Sequence, residues 1–137
     1  MKKIFTAFLA ISLLGIVLIG CSTSSFNIKS KEVSTVKLSY FIDFHRIPEN
    51  FIKTFDDEKD IKGIIDAINN SEELEGDVDI DGADYNLHLY FNDGTTKVFY
   101  LWIEESYSGS IMEIENTHTL YKLSNNSAEK LREILKK

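Results

Sequence analysis

Cysteine is all but missing from this chain of 137 residues, which carries one, Cys21. A lone thiol excludes an internal disulfide, so the fold must stand on its core. Basic charge is also short: 15 lysines and arginines against 22 acids leave a formal charge of −7. That balance argues against nucleic acid as a partner and against an electrostatic hold on anionic lipid. The sequence has no glycine-rich phosphate loop, no G-x-S-x-G nucleophile elbow and no histidine pair at the short spacings of a metal site. His45, His88 and His118 stand singly in different segments. Internal repeats and a second domain boundary are lacking too. These gaps remove the usual signatures of hydrolysis, nucleotide binding and zinc binding, and the chain reads as a non-enzyme.

Long apolar runs are confined to the N-terminus. Met1-Lys2-Lys3 opens with positive charge, Ile4 to Ile19 is almost unbroken apolar sequence, and Leu18-Ile19-Gly20-Cys21 has the form of a lipobox. The run falls short of the roughly 20 apolar residues that span a bilayer, and it contains Thr6 and Ser12. Residues 1–20 are therefore expected to be a lipoprotein signal peptide, with Cys21 lipidated as the first residue of a mature chain on the extracytoplasmic face of a cell membrane. Removing Lys2 and Lys3 takes the formal charge to −9. With its thiol consumed, Cys21 leaves no cysteine nucleophile. Ser22 to Glu32 (STSSFNIKSKE) is rich in Ser, Lys and other polar residues with one stray Phe26, so residues 21–32 read as the lipidated cysteine and a flexible tether.

Residues 33–137 read as a single small domain. Val36, Leu38, Tyr40 and Ile42 alternate with Thr35, Lys37 and Ser39, which predicts a half-buried strand. A loop holding Pro48 follows, then a short strand over Phe51 to Phe55. Ile61, Ile64, Ile65 and Ile68 recur at helical spacing behind the acids at Asp56, Asp57 and Glu58, which predicts a helix from about Asp57 to Asn69. An acidic connector leads to a hairpin. Tyr85, Leu87, Leu89 and Phe91 alternate up to Asn92-Asp93-Gly94, and the chain returns over Thr95 to Ile103. A turn with Gly94 left-handed in a bulge pairs Phe91 with Thr95, Leu87 with Phe99 and Tyr85 with Leu101, placing one apolar set on one face; a two-residue loop would mix the faces. Strands over Ser110 to Glu115 and His118 to Leu123 follow. Ser124 can then cap a last helix with a Leu131, Ile134, Leu135 stripe. The expected fold is α+β: an antiparallel sheet of four to six strands with two helices, preceded by the signal peptide and tether.

Asp84-Tyr85, Phe91-x-Asp93-Gly94, Tyr100-x-Trp102-Ile103, Asn116-Thr117, Tyr121-x-Leu123-Ser124 and Leu131-x-x-Ile134-Leu135 occur in this order and spacing. Together they resemble the YhfM-like lipoproteins of Bacillus-type bacteria over roughly Val33 to Leu135. The resemblance implies a small extracytoplasmic α+β domain and carries over no catalytic residue.

Two constellations offer candidate sites. The hairpin's second face places His88, Tyr90, Tyr100 and Trp102 together, and aromatic residues with polar tips are what interfaces use. This face could receive an envelope protein, peptide or glycan, unless another element covers it as a second layer of core. Asp77, Asp79 and Asp81, followed by Gly82, reproduce the opening D-x-D-x-D-G of a calcium loop, although His88 stands where the bidentate glutamate belongs. No other cofactor is indicated. The functional expectation is a membrane-anchored extracytoplasmic lipoprotein serving as a noncatalytic binding or accessory module; the alternatives are a weak calcium-binding lipoprotein and a cell-envelope enzyme.

Overall fold

In the computed structural model the described residues are 25–76, 79–104 and 108–137. In chain order the elements are β1 (Val33–Tyr40), β2 (Phe51–Phe55), α1 (Glu58–Asn69), β3 (Glu72–Glu73), β4 (Tyr85–Phe91), β5 (Thr96–Trp102), β6 (Ser110–Glu113), β7 (Tyr121–Lys122) and α2 (Asn125–Leu135). The strands form one sheet in the order β2-β1-β4-β5-β6-β7-β3, every neighbouring pair antiparallel. The α+β class and the two helices stand as expected, but seven strands exceed the four to six. One strand outside the expected set is β3, in the acidic connector. Glu72 and Glu73 show no alternation, and their pairing with Lys122 and Tyr121 is made by backbone at the far edge.

The β4–β5 hairpin has the register that the apolar pattern selects, with Leu87 opposite Phe99 and Tyr85 opposite Leu101. Gly94 has φ +87, and Phe91 and Thr95 are joined by a 2.9 Å backbone bond. The Asp93 carboxylate accepts from the Thr95 amide and hydroxyl, which fixes the turn. Leu87, Leu89, Phe99, Leu101 and Ile103 all enter the main core. Against them lies α1, capped by Asp57 accepting from the Asp60 amide, with Ile61, Ile64, Ile65 and Ile68 buried. Each such side chain contributes on the order of 1.5–3 kcal/mol. Helix α2, capped by Ser124 accepting from the Ser127 amide, crosses α1 where Gly63 leaves room for Ile134.

The tether is shorter than its polar composition suggests. The Phe26 ring packs 5.3 Å from Phe99 and 4.5 Å from Tyr121, centroid to centroid. Ile28 exchanges two hydrogen bonds with the Asn69 side chain at the end of α1, and Ser30–Glu32 form one turn of 3-10 helix. Residues from Phe26 onward therefore belong to the domain, which corrects the tether over 21–32. The apolar ring decides this, because it gains more from the core than the polar neighbours gain from remaining free.

Phe26→Ala is expected to lower the unfolding free energy by about 2 kcal/mol, below the range for a fully buried phenylalanine because the ring is half-exposed. Urea denaturation checks this, and an unchanged midpoint would return Phe26 to the tether. Gly109→Ala should cost about 1–3 kcal/mol. A Cβ there would come within 2.7 Å of Ile103, 2.9 Å of Leu123 and 3.0 Å of the Trp102 carbonyl.

Candidate functional site

The helices cover one face of the sheet. The other face carries Lys37 and Ser39 from β1, Asn86, His88 and Tyr90 from β4, Val98, Tyr100 and Trp102 from β5, and Met112 from β6. The expected docking quartet lies on this face, yet it does not form one open surface. Tyr100 is fully buried, and His88 is only 4% exposed.

Two loops account for the Tyr100 half. After β1 the chain turns back through a bridge between Asp43 and Arg46, with His45 at φ +103, and this brings Phe41 and Phe44 edge-on to Tyr100 at 5.4 and 5.3 Å. The His45 amide donates to the Tyr100 hydroxyl at 3.1 Å and pins the turn. Burial, with Asp43 nearby, pushes the Tyr100 phenol above its ordinary pKa. From the other side Leu74, Ile80 and Ala83 pack on Tyr100, Met112 and Leu120 as a second, smaller core. The Trp102 indole N–H donates to the Asp81 carbonyl at 3.0 Å. The quartet is thus corrected: Tyr100 and Trp102 belong to this second core, because an aromatic sheet face left bare costs more than ordering two loops over it.

The other half is a buried polar cluster. Ser39 Oγ lies 2.9 Å from His88 Nε2. Asn86 Nδ2 donates to Ser39 Oγ at 3.3 Å and to the Tyr40 carbonyl at 3.2 Å. Asn86 Oδ1 is buried with no hydrogen-bond partner among the described residues, a condition that costs about 1–3 kcal/mol. The β1–β4 register creates the cluster by setting Ser39 opposite Asn86 and Lys37 opposite His88. Phe51, at the start of β2, lies edge-on to the His88 ring at 4.9 Å. Lys37 Nζ sits over Phe51 at 4.9 Å and over the half-buried Tyr90 at 5.1 Å. Burial first, and the Lys37 charge second, hold the His88 pKa below the ordinary imidazole value. The alternating polar positions Lys37-x-Ser39 and Asn86-x-His88 are visible in the sequence, but only the pairing of β1 with β4 makes them neighbours.

The remaining candidates lie elsewhere. Cys21 and Asp77 fall outside the described residues. Asp79 and Asp81 are exposed, while Ile80 between them turns into the second core. Asp84 accepts from the Ile103 and Glu104 amides at 2.7 and 3.0 Å. Among the described residues no three His, Cys, Asp or Glu side chains gather as a metal would need. A groove beside α2, lined by Tyr85, Ile103, Glu104, Arg132, Leu135 and Lys136, encloses about 210 Å³. That is under the roughly 300 Å³ at which small-molecule sites begin. Within it the Tyr85 hydroxyl donates to Glu104, and that bond together with burial pushes the Tyr85 pKa up to about 12.

These features describe an α+β domain built on one seven-stranded antiparallel sheet with two helices on one face. A solved structure of a thioesterase-like protein from Clostridium sporogenes matches with a TM-score of 0.56, covering 74% of this chain and 93% of that one at 16% identity. At that identity the likeness is one of fold. The profile of the YhfM protein family matches residues 39–137, so the chain belongs to the YhfM family. A search of curated proteins finds no match. The expected function, a noncatalytic binding or accessory lipoprotein, is corrected here: the domain shares its fold with a thioesterase-like protein, an architecture that does not mark a noncatalytic module. The fold by itself decides neither for nor against catalysis.

The His88 environment predicts a pH dependence of stability. The unfolded chain protonates His88 at the ordinary imidazole pKa of about 6.5 and the folded chain only at lower pH, so the unfolded state binds more protons in that window. Stability is then fully present above about pH 6.5 and falls on acidification toward the folded pKa. His88→Gln keeps an acceptor for Ser39 and removes the titration. Chemical denaturation between about pH 7.5 and 5.5 should show a steeper loss in the wild type than in the variant; equal slopes would place the dependence elsewhere.

Proposed function

We propose that this YhfM-family chain is held on the extracytoplasmic face of the cell membrane by lipid on Cys21. There its thioesterase-like domain works among envelope components within reach of the bilayer. The observation that carries this reading is the docking of Phe26 against Phe99 and Tyr121. Cys21 lies five residues before it, and five residues at full extension span about 17 Å. A domain of this size has a radius of gyration of about 13 Å, so the lipid would keep it beside the membrane surface. The lipobox at Leu18 to Cys21 supports the attachment, and a diacylglyceryl group supplies the two acyl chains that stable anchoring takes. The formal charge of −9 after loss of residues 1–20 disfavours adhesion to anionic headgroups. Attachment then rests on the lipid. No helix among the described residues is long and apolar enough to cross a membrane.

Detergent phase partitioning of whole-cell extracts tests the attachment. Wild-type chain should enter the detergent phase, and Cys21→Ser should leave it for the aqueous phase or accumulate with its first 20 residues uncleaved. Equal partitioning of the two, with normal cleavage, would refute it.

A further inference from the structure

We propose that Ser39 is an activated nucleophile toward acyl esters or thioesters, with His88 as its base and Phe51 as the side chain that admits or excludes the acyl group. Three observations converge on this pair.

The first is the direction of the serine proton. Asn86 Nδ2 commits its two hydrogens to Ser39 Oγ and the Tyr40 carbonyl. Reversing the amide would set its oxygen against that carbonyl. Ser39 Oγ therefore accepts from Asn86, and with the imidazole in its Nδ1–H tautomer the serine proton is directed at His88 Nε2, 2.9 Å away. In that tautomer Nε2 is the base, the arrangement by which a hydroxyl nucleophile is activated. Burial and Lys37 keep the ring in its neutral, proton-accepting form.

The second is the charge beside the pair. Lys37 stands directly opposite His88 in the β1–β4 register. Its ammonium group lies over the Phe51 ring and its charge acts on His88, and negative charge developing beside the pair would be favoured by that cation.

The third is access. The β1–β2 register shifts between Leu38 and Ser39, and this irregularity sets Phe51 opposite Ser39 with its ring edge-on to His88. Irregularities of this kind re-aim side chains beside active sites. Ser39 is fully buried, while Phe51 is half-exposed on a strand at the edge of the sheet. Phe51 thus packs against the imidazole of the pair, and an apolar acyl chain that displaces it takes over that contact.

The reaction balances with water as the one co-reactant. Ser39 Oγ bonds to the acyl carbon while its proton passes to His88 Nε2. The bond from that carbon to the thiol sulfur or the alcohol oxygen breaks, and the leaving group takes the proton from His88. Water then adds to the acyl-serine, giving a proton to Nε2; the carbon–Oγ bond breaks, Oγ recovers the proton, and a carboxylic acid departs.

The test is labelling of the purified full chain with a fluorophosphonate, with the modified residue located by mass spectrometry and folding checked by circular dichroism. Ser39 should be modified in the wild type. Phe51→Ala should raise the rate by about tenfold or more, since rate follows the open fraction. His88→Gln should lower it by about 100-fold or more, and Ser39→Ala should abolish it. If Phe51→Ala fails to fold, Phe51→Leu serves in its place. A folded Phe51 variant in which Ser39 stays unmodified overturns the proposal, as does modification that is indifferent to His88→Gln.

Discussion

The register in which β1 meets β4 governs what the rest of the structure can do. Val36 stands opposite Leu89 and Leu38 opposite Leu87, so both strands turn apolar side chains toward the helices. Strand alternation then leaves no freedom on the opposite face, where Lys37 must meet His88 and Ser39 must meet Asn86. A slip of one residue would carry Lys37 under the isoleucines of α1 and expel Leu38 to the other side. The main core therefore enforces the polar cluster. The serine–histidine contact comes at no separate cost in register, because the burial that holds the core holds the cluster as well.

How much of this was legible in the sequence depends on whether the signal was local. The β4–β5 hairpin could be read down to its bulge, because alternation on both arms and Gly94 at the turn allow one register that keeps the faces pure. The isoleucine stripe of α1 and the Ser124 cap of α2 are equally local. Strand β3 was not legible, since two glutamates paired by backbone to Lys122 and Tyr121 leave no pattern in their own segment. Phe26 was misread for the complementary reason: its neighbours are polar, and the rings that receive it lie more than 70 residues away in the chain. The polar cluster was half-legible. His88 stood out, but Ser39 and Asn86 looked like ordinary solvent-facing positions until tertiary pairing buried them.

The second face shows how a small domain manages a two-faced sheet. Helices α1 and α2 cover one side only, and β5 turns Val98, Tyr100 and Trp102 to the other. An aromatic surface of that extent would be open to association. Two irregular segments close it, one pinned by the His45 amide on the Tyr100 hydroxyl and the other by the Trp102 indole on the Asp81 carbonyl. Their backbone polar groups thus supply the bonds that allow tyrosine and tryptophan to sit in a core. The loops stop short of His88, where Phe51 from the edge strand takes over.

That change of cover is where the energetics become uneven. Around Tyr100 the hydroxyl has its donor and the rings interlock edge to face. Around His88 the domain instead carries a buried carbonyl oxygen on Asn86 without a partner among the described residues, and an imidazole held neutral in an apolar setting beside a lysine. Stability alone would favour apolar residues at positions 39, 86 and 88, since replacing a buried polar set by well-packed apolar groups of the same shape is nearly neutral or stabilising. The polar set is instead arranged so that one amide fixes one hydroxyl and that hydroxyl addresses one ring nitrogen. A buried cluster in which one amide donates to one hydroxyl, that hydroxyl meets one ring nitrogen at 2.9 Å and an edge-strand phenylalanine packs against the ring is built in the manner of a reactive site more than of a core.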